Sequence, residues 1–322
     1  MILITGGLGF IGSHTTQALL DLDESCVLVQ RHATAIPDAF AADVGRRVFI
    51  EQADIADQQA LLEIDKRHKI TGIVHLAGSA PWPPGAYAPI DGARQALGTL
   101  LNVFQAATDW AVPRVGLAST IGVYGGVAGP PPYREDALLP MTAGHVIPAF
   151  KKIGEMLADY IGGAAGLELV NCRIAGVWGP GGRASSMFFG APQLIHAAAR
   201  GTAPDLSGLH SPAYADDALD LCYVKDCARG IALLQLTERL NHRTYNVASG
   251  RPTTYAELAA AIAEVVPGTQ IELPAGRTPN GPGQDTFLDI TRIHADTGYQ
   301  PAYDTRRAAA DYIGWLRAGH EL

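Results

Sequence analysis

The chain has 322 residues, of which 48% are hydrophobic and 17% are charged, and its formal net charge is −8. This length and apolar content allow one or two closely joined domains around a large buried core. Acidic and basic residues are interspersed, so no basic face indicates binding to nucleic acid or to an anionic membrane. The apolar runs are too short to span a bilayer.

The amino terminus and the cysteines indicate a reduced, cytoplasmic protein. Met1 leads directly into an apolar run, without the basic segment or cleavage site of a signal peptide. Cys26 and Cys172 lie in apolar, strand-like runs, and Cys222 and Cys227 lack the spacing of metal ligands. We interpret all four as buried structural residues rather than as disulfides or metal ligands.

The first half of the chain alternates strand patterns with helix patterns. Strands are predicted over the short apolar runs at 1–4, 26–29, 48–53, 72–76, 114–119 and 167–174. Helices are predicted between them, over 13–22, 58–68, 94–110 and 149–161. Apolar strands separated by amphipathic helices indicate an α/β fold, with a doubly wound parallel sheet and helices on both faces.

After the glycine-rich segment 179–182, strand and helix patterns no longer alternate, and helix patterns predominate. Further helices are predicted over 187–200, 225–236, 254–265 and 306–316, and a further strand over 244–247. We therefore predict a sheet domain at 1–178, to which a strand and helix return near 220–250. A smaller substrate-binding lobe would comprise 179–219 and 251–322, over the carboxyl edge of the sheet, where open α/β folds bind ligands.

The strongest motif, TGGLGFIGS, follows the first predicted strand. Its glycines Gly6, Gly9 and Gly12 permit a tight turn, a close approach of backbone to a pyrophosphate, and close packing of helix on strand. The N–H groups at the helix start, including those of Phe10 and Ile11, can hold phosphates. The motif and its strand–turn–helix context predict a Rossmann-type domain that binds a dinucleotide.

With this motif, a series of later segments resembles the extended short-chain dehydrogenase/reductase family, the group of nucleotide-sugar epimerases and dehydratases. The matching segments follow in the family's order at 53–55, 75–78, 98–99, 119–125, 173, 179–180, 223–228 and 245–247. The resemblance implies that Asp54 and Ile55 contact the adenine. It also implies that Leu76, Ala77 and Gly78 lie beside the cofactor.

The end of the second strand bears on the choice between NAD and NADP. An acidic residue there would bind the ribose hydroxyls and exclude a 2′-phosphate. In this chain the position is Gln30, followed by Arg31. Gln30 cannot repel a phosphate and Arg31 could pair with one, which favours NADP over NAD. Arg31 could also be an ordinary solvated side chain.

The resemblance implies a catalytic Tyr, a Lys four residues after it, and a Ser or Thr on the preceding strand. Thr120 falls at the hydroxyl position and would hydrogen-bond the reacting oxygen. Lys151, followed four residues later by Glu155, falls at the position that holds the nicotinamide ribose. The residue four places before Lys151 is Ile147, where the family pattern expects Tyr.

Because Ile147 has no titratable proton, three interpretations are open. Tyr124, Tyr133 or His145 could supply the proton, and His145 is attractive because an unperturbed imidazole titrates close to neutrality. The reaction could need no protein proton donor at this place. The protein could also bind a dinucleotide without turning over a substrate.

The substrate lobe departs from the family pattern as well. Members that act on nucleotide sugars usually carry Asn at the position of Gly176 and a basic residue near Leu219, for the pyrophosphate. The acidic stretch 216–220 would repel a diphosphate. Arg183 and Arg277 could bind an anion or stay solvated. Nucleotide sugars, sugars without a nucleotide and smaller hydroxyl- or keto-bearing molecules therefore stay open as substrates.

We predict an NAD(P)-dependent oxidoreductase, epimerase or dehydratase acting on a hydroxyl- or keto-bearing, sugar-like small molecule. The alternative, which Ile147 favours, is a non-catalytic NAD(P)-binding sensor or partner subunit. The resemblance also implies a homodimer formed through helices 94–110 and 149–161, although their apolar faces could equally be core.

Overall fold

The computed structural model describes residues 1–32, 35–78, 88–279 and 285–320. Its strands are β1 (Ile2–Thr5), β2 (Cys26–Gln30), β3 (Val48–Gln52), β4 (Gly72–His75), β5 (Arg114–Thr120), β6 (Glu168–Ile174), β7 (Gly176–Trp178), β8 (Ala218–Leu219), β9 (Leu221–Tyr223), β10 (Thr244–Val247) and β11 (Thr253–Thr254). Seven of them form one parallel sheet in the order β10-β6-β5-β4-β1-β2-β3. The strand order reverses between β1 and β4, which confirms the doubly wound fold.

Helices cover both faces of this sheet. They are α1 (Phe10–Asp21), α2 (Gln58–Leu62), α3 (Pro89–Asp109), α4 (Val146–Ala165), α5 (Ala191–Arg200), α6 (Val224–Leu236), α7 (Tyr255–Val265), α8 (Thr291–Thr297) and α9 (Thr305–Arg317). Alternate residues of β1 point to opposite faces, as strand geometry requires. Ile2 and Ile4 join the apolar core with α1 and α6, whereas Leu3 joins the core with α3 and α4.

A third apolar core lies in the part of the chain that follows β6. Buried side chains of α5, α7 and α9 pack together there with Trp178 of β7 and Tyr223 of β9. Strands β7 and β9 pair in parallel, and β8 pairs with β11 in antiparallel fashion. Within the described residues, this core is separate from the two cores of the large sheet.

Several predicted boundaries shift in the structure. Helix α3 begins at Pro89 rather than at 94, and proline is well suited to the first helical position because its missing N–H would have no partner there. Helix α2 ends at Leu62 instead of 68, and α5 begins at Ala191 instead of 187. Strands β7, β8, β9 and β11 were missed, because two or three residues are too few to show a periodic pattern.

Two general expectations can be compared with the described residues. Cys26, Cys172, Cys222 and Cys227 are all buried and free, which confirms their interpretation as structural residues. No helix in the described ranges combines the length and the apolar character needed to cross a membrane.

Candidate active site

The glycine turn after β1 has the geometry that its sequence predicts. Gly6 has a φ of +71°, in the left-handed region that favours glycine. The N–H of Gly9 donates to the carbonyl of Gly6 at 2.9 Å. A Cβ at Gly12 would lie 2.0 Å from that same carbonyl oxygen, so helix α1 packs directly on the turn.

The start of α1 presents unpaired donors. The residue that precedes the helix is Gly9, and no side chain caps the helix start. The N–H groups of Phe10, Ile11 and Gly12 have no acceptor within the described part of the chain. Free donors at a helix start bind anions, so this turn fits the pyrophosphate of a dinucleotide.

A cavity of about 260 Å³ lies next to the turn, at the reversal of strand order. It brings together most of the predicted cofactor residues: Gly6, Gln30, Arg31, Asp54, Ile55, Ala77 and Gly78. Leu76 is not among the lining residues; its N–H donates to the carbonyl of Thr5 and its side chain packs on the core. Helix α3 adds Gly92, Gln95 and Thr99, whose role sequence reasoning missed.

Gln30 supports the glycine turn directly. With its amide oxygen directed at the turn, it accepts hydrogen bonds from the N–H groups of Gly7 at 2.9 Å and Leu8 at 2.7 Å. Arg31 is exposed, lines the cavity and donates to the ring of His32 at 3.1 Å. Gln30 is therefore already engaged by the backbone, while Arg31 remains within reach of a ligand.

His75, at the end of β4, is a buried polar residue in the segment 75–78 that was not among the predicted site residues. A hydrogen bond of 2.8 Å joins its Nδ1 to Thr5 Oγ1, which also accepts the N–H of Ala77 at 3.2 Å. Its Nε2 has no hydrogen-bond partner among the described residues. Burial, together with the positive charge of Lys151, lowers the pKa of His75 to about 3, so the ring is neutral.

The predicted catalytic residues lie where β5 ends and α4 begins. Thr120 is the last residue of β5, and its Oγ1 accepts the N–H of Gly122 at 3.2 Å. A Cβ built at Gly122 would lie 3.5 Å from both Thr120 Oγ1 and Pro148 Cβ. The first turn of α4, which contains Ile147 and Pro148, is thus packed against the turn that follows Thr120.

Lys151 lies one helical turn after Ile147 and is half-buried. Burial lowers the pKa of its amine to about 8, and the charge of Glu155 offsets only part of this effect. That carboxylate is already engaged by the Arg173 guanidinium, at 2.7 Å and 3.1 Å, and by the hydroxyl of Ser119. Within the described ranges, Lys151 forms no ion pair.

Tyr124 and Tyr133, two of the candidates for the proton donor, are both buried. Tyr124 is buried; its hydroxyl donates to Asn246 at 2.7 Å and accepts from Arg173 at 2.9 Å. Burial raises the pKa of Tyr124 to about 12. The ring of Tyr133, itself buried, stacks on Tyr124 with 5.4 Å between centroids. Both tyrosines serve the packing between β5, β6 and β10.

His145 immediately precedes α4 and is exposed. Its ring stacks on Phe188 with 5.5 Å between centroids. Partial burial, with a smaller contribution from the charge of His210, lowers its pKa. Phe188, the ring on which His145 stacks, lines a second cavity.

The second cavity has a volume of about 630 Å³ and adjoins the glycine turn through Phe10. Five of its lining residues are aromatic: Phe10, Trp178, Phe188, Phe189 and Tyr312. Arg183 is the cation among the lining residues. Arg277, the other arginine considered for anion binding, instead pairs with Asp285 at 2.6 Å.

Two carboxylates of the acidic stretch 216–220, those of Asp217 and Asp220, accept hydrogen bonds from backbone N–H groups. Asp217 accepts hydrogen bonds from the N–H groups of Tyr214 and Thr278, and it does not line either cavity. Asp220 is fully buried and accepts from the N–H groups of Ser249, at 2.7 Å, and Leu288. These two carboxylates organise the backbone, and neither of them lines a cavity.

Known proteins resemble this chain along nearly its whole length. A UDP-glucose 4-epimerase of Azospirillum brasilense is 29% identical and aligns over 94% of this chain and 88% of its own length. A mouse UDP-glucose 4-epimerase is 26% identical over 98% of this chain and 96% of its own.

Solved structures share the fold. The UDP-glucose 4-epimerase of Thermotoga maritima superposes with a TM-score of 0.81, at 21% identity, over 99% of both chains. That of Thermus thermophilus, solved as a complex with NAD, has a TM-score of 0.74 at 24% identity over 98% of both chains. Residues 2–248 match the sequence profile of the NAD dependent epimerase/dehydratase family. Given that match over most of its length, and as its ordered motifs predicted, the chain belongs to this family of enzymes.

Proposed function

We propose that the chain is an NAD-dependent epimerase that acts on a hydroxyl-bearing carbon of a nucleotide sugar. One observation carries this proposal: Thr120 and Lys151 flank the junction between β5 and α4, at the same edge of the sheet as the glycine turn. The UDP-glucose 4-epimerases that align over 94% and 98% of the chain support the reaction and the substrate class.

The proposed cofactor contacts lie at the start of α1, beside the glycine turn, and in the first cavity. The N–H groups of Phe10, Ile11 and Gly12 would hold the pyrophosphate, and Asp54 and Ile55 would contact the adenine. When bound, NAD supplies a nicotinamide ring that accepts a hydride from a carbinol carbon and returns it.

The reacting end of the site would be formed by the two predicted catalytic residues. The hydroxyl of Thr120 would hydrogen-bond the reacting oxygen of the substrate, and Lys151 would lie beside the nicotinamide ribose. Both residues are held in place by the packing of Pro148 and Gly122 where α4 meets the end of β5.

The cofactor is proposed to be NAD rather than NADP, which revises the preference drawn from Arg31. Related folds have been solved with NAD, among them the Thermus thermophilus epimerase. The exposed Arg31 still leaves NADP as an outcome that a binding experiment must distinguish.

The second cavity, which we call the aromatic cavity after its five aromatic lining residues, is the proposed substrate site. Phe188 and Phe189 could stack on a base, because aromatic rings stack on any nucleobase. Arg183 lies in the same lining and could pair with a phosphate. This arrangement favours a nucleotide sugar over a smaller uncharged hydroxyl compound.

The experiment combines binding with turnover. Titration calorimetry would measure NAD and NADP affinity, and the interconversion of UDP-hexose epimers would be followed by chromatography. Thr120→Val should retain NAD affinity but lower turnover by about 10²-fold or more, because it removes a donor to the reacting oxygen. The matched control is Thr291→Val, which alters an exposed residue of α8 and should leave both quantities unchanged.

The outcomes separate the two hypotheses. Absence of NAD binding would contradict the proposal altogether. Binding of NAD without conversion of any nucleotide sugar would favour the sensor or partner-subunit alternative, which none of the enzyme relatives described above supports.

We further propose a homodimer formed by the outer faces of α3 and α4. Large apolar side chains on these helices are exposed: Ile90, Leu101, Ile153, Met156 and Tyr160. Such residues concentrated on two helices indicate an interaction surface. We also propose a reducing, cytoplasmic setting, because the four cysteines are free.

A further inference from the structure

We propose that the amine of Lys151 itself takes the substrate proton and returns it, in place of an acid–base residue at position 147. The inference rests on the proposed function and adds a catalytic role to a residue otherwise expected only to hold ribose. Ile147 occupies the first turn of α4 and has no proton to exchange.

The position of Lys151 follows from the face of α4 on which it lies. Pro148 precedes it by three residues and Glu155 follows it by four, so the three side chains share one helical face. Pro148 packs against the turn after Thr120, and Glu155 accepts a hydrogen bond from Ser119. Lys151 therefore lies on the helical face between a contact with Gly122, in the turn after β5, and a contact with Ser119, the residue before Thr120.

Lys151 forms no ion pair within the described residues, and the charge of Glu155 offsets only part of the effect of burial on its pKa. Glu155 is paired with Arg173, and both side chains are buried. His75, on β4, is kept neutral by its own burial. Tyr124, in the turn that follows Thr120, has a raised pKa and stays protonated.

The other charged groups on elements that pack against α4 are paired or distant along the helix. Arg114 and Glu168 form an ion pair at 2.7 Å, at the starts of β5 and β6 and thus at the end opposite Thr120. On α3, Asp91 pairs with Arg94 at 3.3 Å, and Asp109 is the last residue of the helix.

These surroundings make the neutral amine accessible at physiological pH. Burial lowers the pKa of Lys151 to about 8, and a bound nicotinamide cation would lower it further. A general base works best when its pKa lies near the working pH. His145, the remaining candidate, is exposed and stacks on Phe188, which lines the second cavity.

The proposed step balances in protons and electrons. The substrate hydroxyl, hydrogen-bonded to Thr120, gives its proton to the neutral amine of Lys151. Bound NAD would accept a hydride from the carbon that bears this oxygen, and a C=O bond would form. In the return step, that carbon would regain the hydride on its opposite face, while the ammonium of Lys151 gives the proton back to the oxygen.

The first test measures the amine without turnover. In the cofactor-free chain, the rate of acetylation of Lys151 is followed against pH by mass spectrometry of the peptide that contains it. We expect a midpoint near pH 8, the pKa to which burial lowers this amine. A midpoint at the ordinary value of about 10.4 would overturn the proposal.

The second test uses variants of the loaded enzyme. Lys151→Arg keeps a permanent positive charge, so NAD affinity should change less than about threefold while single-turnover hydride transfer falls by about 10²-fold or more. Lys151→Ala should recover hydride transfer when small alkylamines are added, with a rate that rises with amine basicity. The matched control is Lys152→Arg, because Lys152 binds only the carbonyls of Pro140 and Thr142 among the described residues.

Two failures can be told apart. If the wild-type chain binds NAD but oxidises no nucleotide sugar, the proposed function is wrong and the role of Lys151 with it. If the wild type is active and Lys151→Arg transfers hydride at a similar rate, or if amines do not rescue Lys151→Ala, only the role of Lys151 is wrong.

Discussion

Glu155 of α4 and Arg173 of β6 form a buried ion pair in which the guanidinium spans both carboxylate oxygens. Arg173 donates from Nη2 to Oε2 at 2.7 Å and from Nε to Oε1 at 3.1 Å. The carboxylate also accepts from Ser119, and Arg173 also donates to Tyr124. The pair thereby joins the helix that carries Lys151 to the two strands beside the site.

Removal of one partner of this pair should be strongly destabilising. Glu155→Gln leaves a buried guanidinium without its counter-charge, which costs about 3–5 kcal/mol in the free energy of unfolding. Urea unfolding at neutral pH would measure the loss. Glu264→Gln is the control, because Glu264 pairs with Arg306 on the surface and should cost less than about 1 kcal/mol. A similarly small loss for both variants would show that the buried pair contributes no more to the free energy of unfolding than the surface pair does.

The glycine turn should tolerate no side chain at its third glycine. A Cβ at Gly12 would lie 2.0 Å from a backbone oxygen of Gly6, so Gly12→Ala must displace α1 from the turn. We expect a loss of about 1–3 kcal/mol in stability and at least a tenfold weaker NAD affinity, by calorimetry. Gly98→Ala is the control: it lies inside α3 with no atom within 4 Å of the added carbon, and should stabilise by up to about 1 kcal/mol. Equal effects of the two variants would contradict this account.

His75 should make the fold sensitive to mild acid. Its folded-state pKa, about 3, is lowered from 6.5. Between these two values the imidazole is protonated in the unfolded chain but neutral in the folded chain. This contribution to stability is complete above about pH 6.5 and is lost as pH falls, by about 2 kcal/mol at pH 5. His75→Gln should remove that part of the difference in unfolding free energy between pH 7.5 and pH 5. The control is His242→Gln, a variant of an exposed histidine that should keep the wild-type difference between the two pH values. An unchanged pH dependence in His75→Gln would refute the prediction.

The role of Arg31 can be resolved by comparing the two cofactors. Arg31→Ala should leave NAD affinity within about twofold, because an exposed guanidinium has no phosphate of NAD to pair with at the ribose 2′ position. Any measurable NADP affinity should fall by about tenfold, the value of one charged contact. Fluorescence titration with each cofactor would measure both. A loss of NAD affinity as large as that of NADP affinity would place Arg31 elsewhere in the site.

The proposed dimer can be tested by placing a charge on α4. Met156→Lys puts an ammonium on the exposed apolar face, and the desolvation of that charge should weaken association by about 10²-fold or more. Sedimentation velocity over a concentration series would give the mass of each species. Leu138→Lys, also an exposed apolar residue but outside α3 and α4, should leave the mass unchanged. A monomeric wild-type chain would contradict the dimer itself.

Much of the large sheet could be predicted from local patterns. Strand β10 has the predicted bounds, the predicted β2 and β4 differ from the observed strands by one residue at one end, and β1 is shifted by one residue at both ends. The parallel arrangement of the sheet could be predicted because buried parallel strands are short apolar runs separated by helices. The lobe after β6 was predicted less well, since short strands and loops carry no comparable period.

By itself, the sequence determined the glycine turn, the alternation of strands and helices and the family, because each depends on neighbouring residues or on motif order. Only the tertiary structure decided which side chains meet. The pairing of Glu155 with Arg173, the neutral His75 near Lys151, the engagement of Asp217 and Asp220 by backbone, and the contribution of α3 to the cofactor cavity all join distant parts of the chain. Burial and charge at such contacts depend on the whole fold, and no local pattern encodes them.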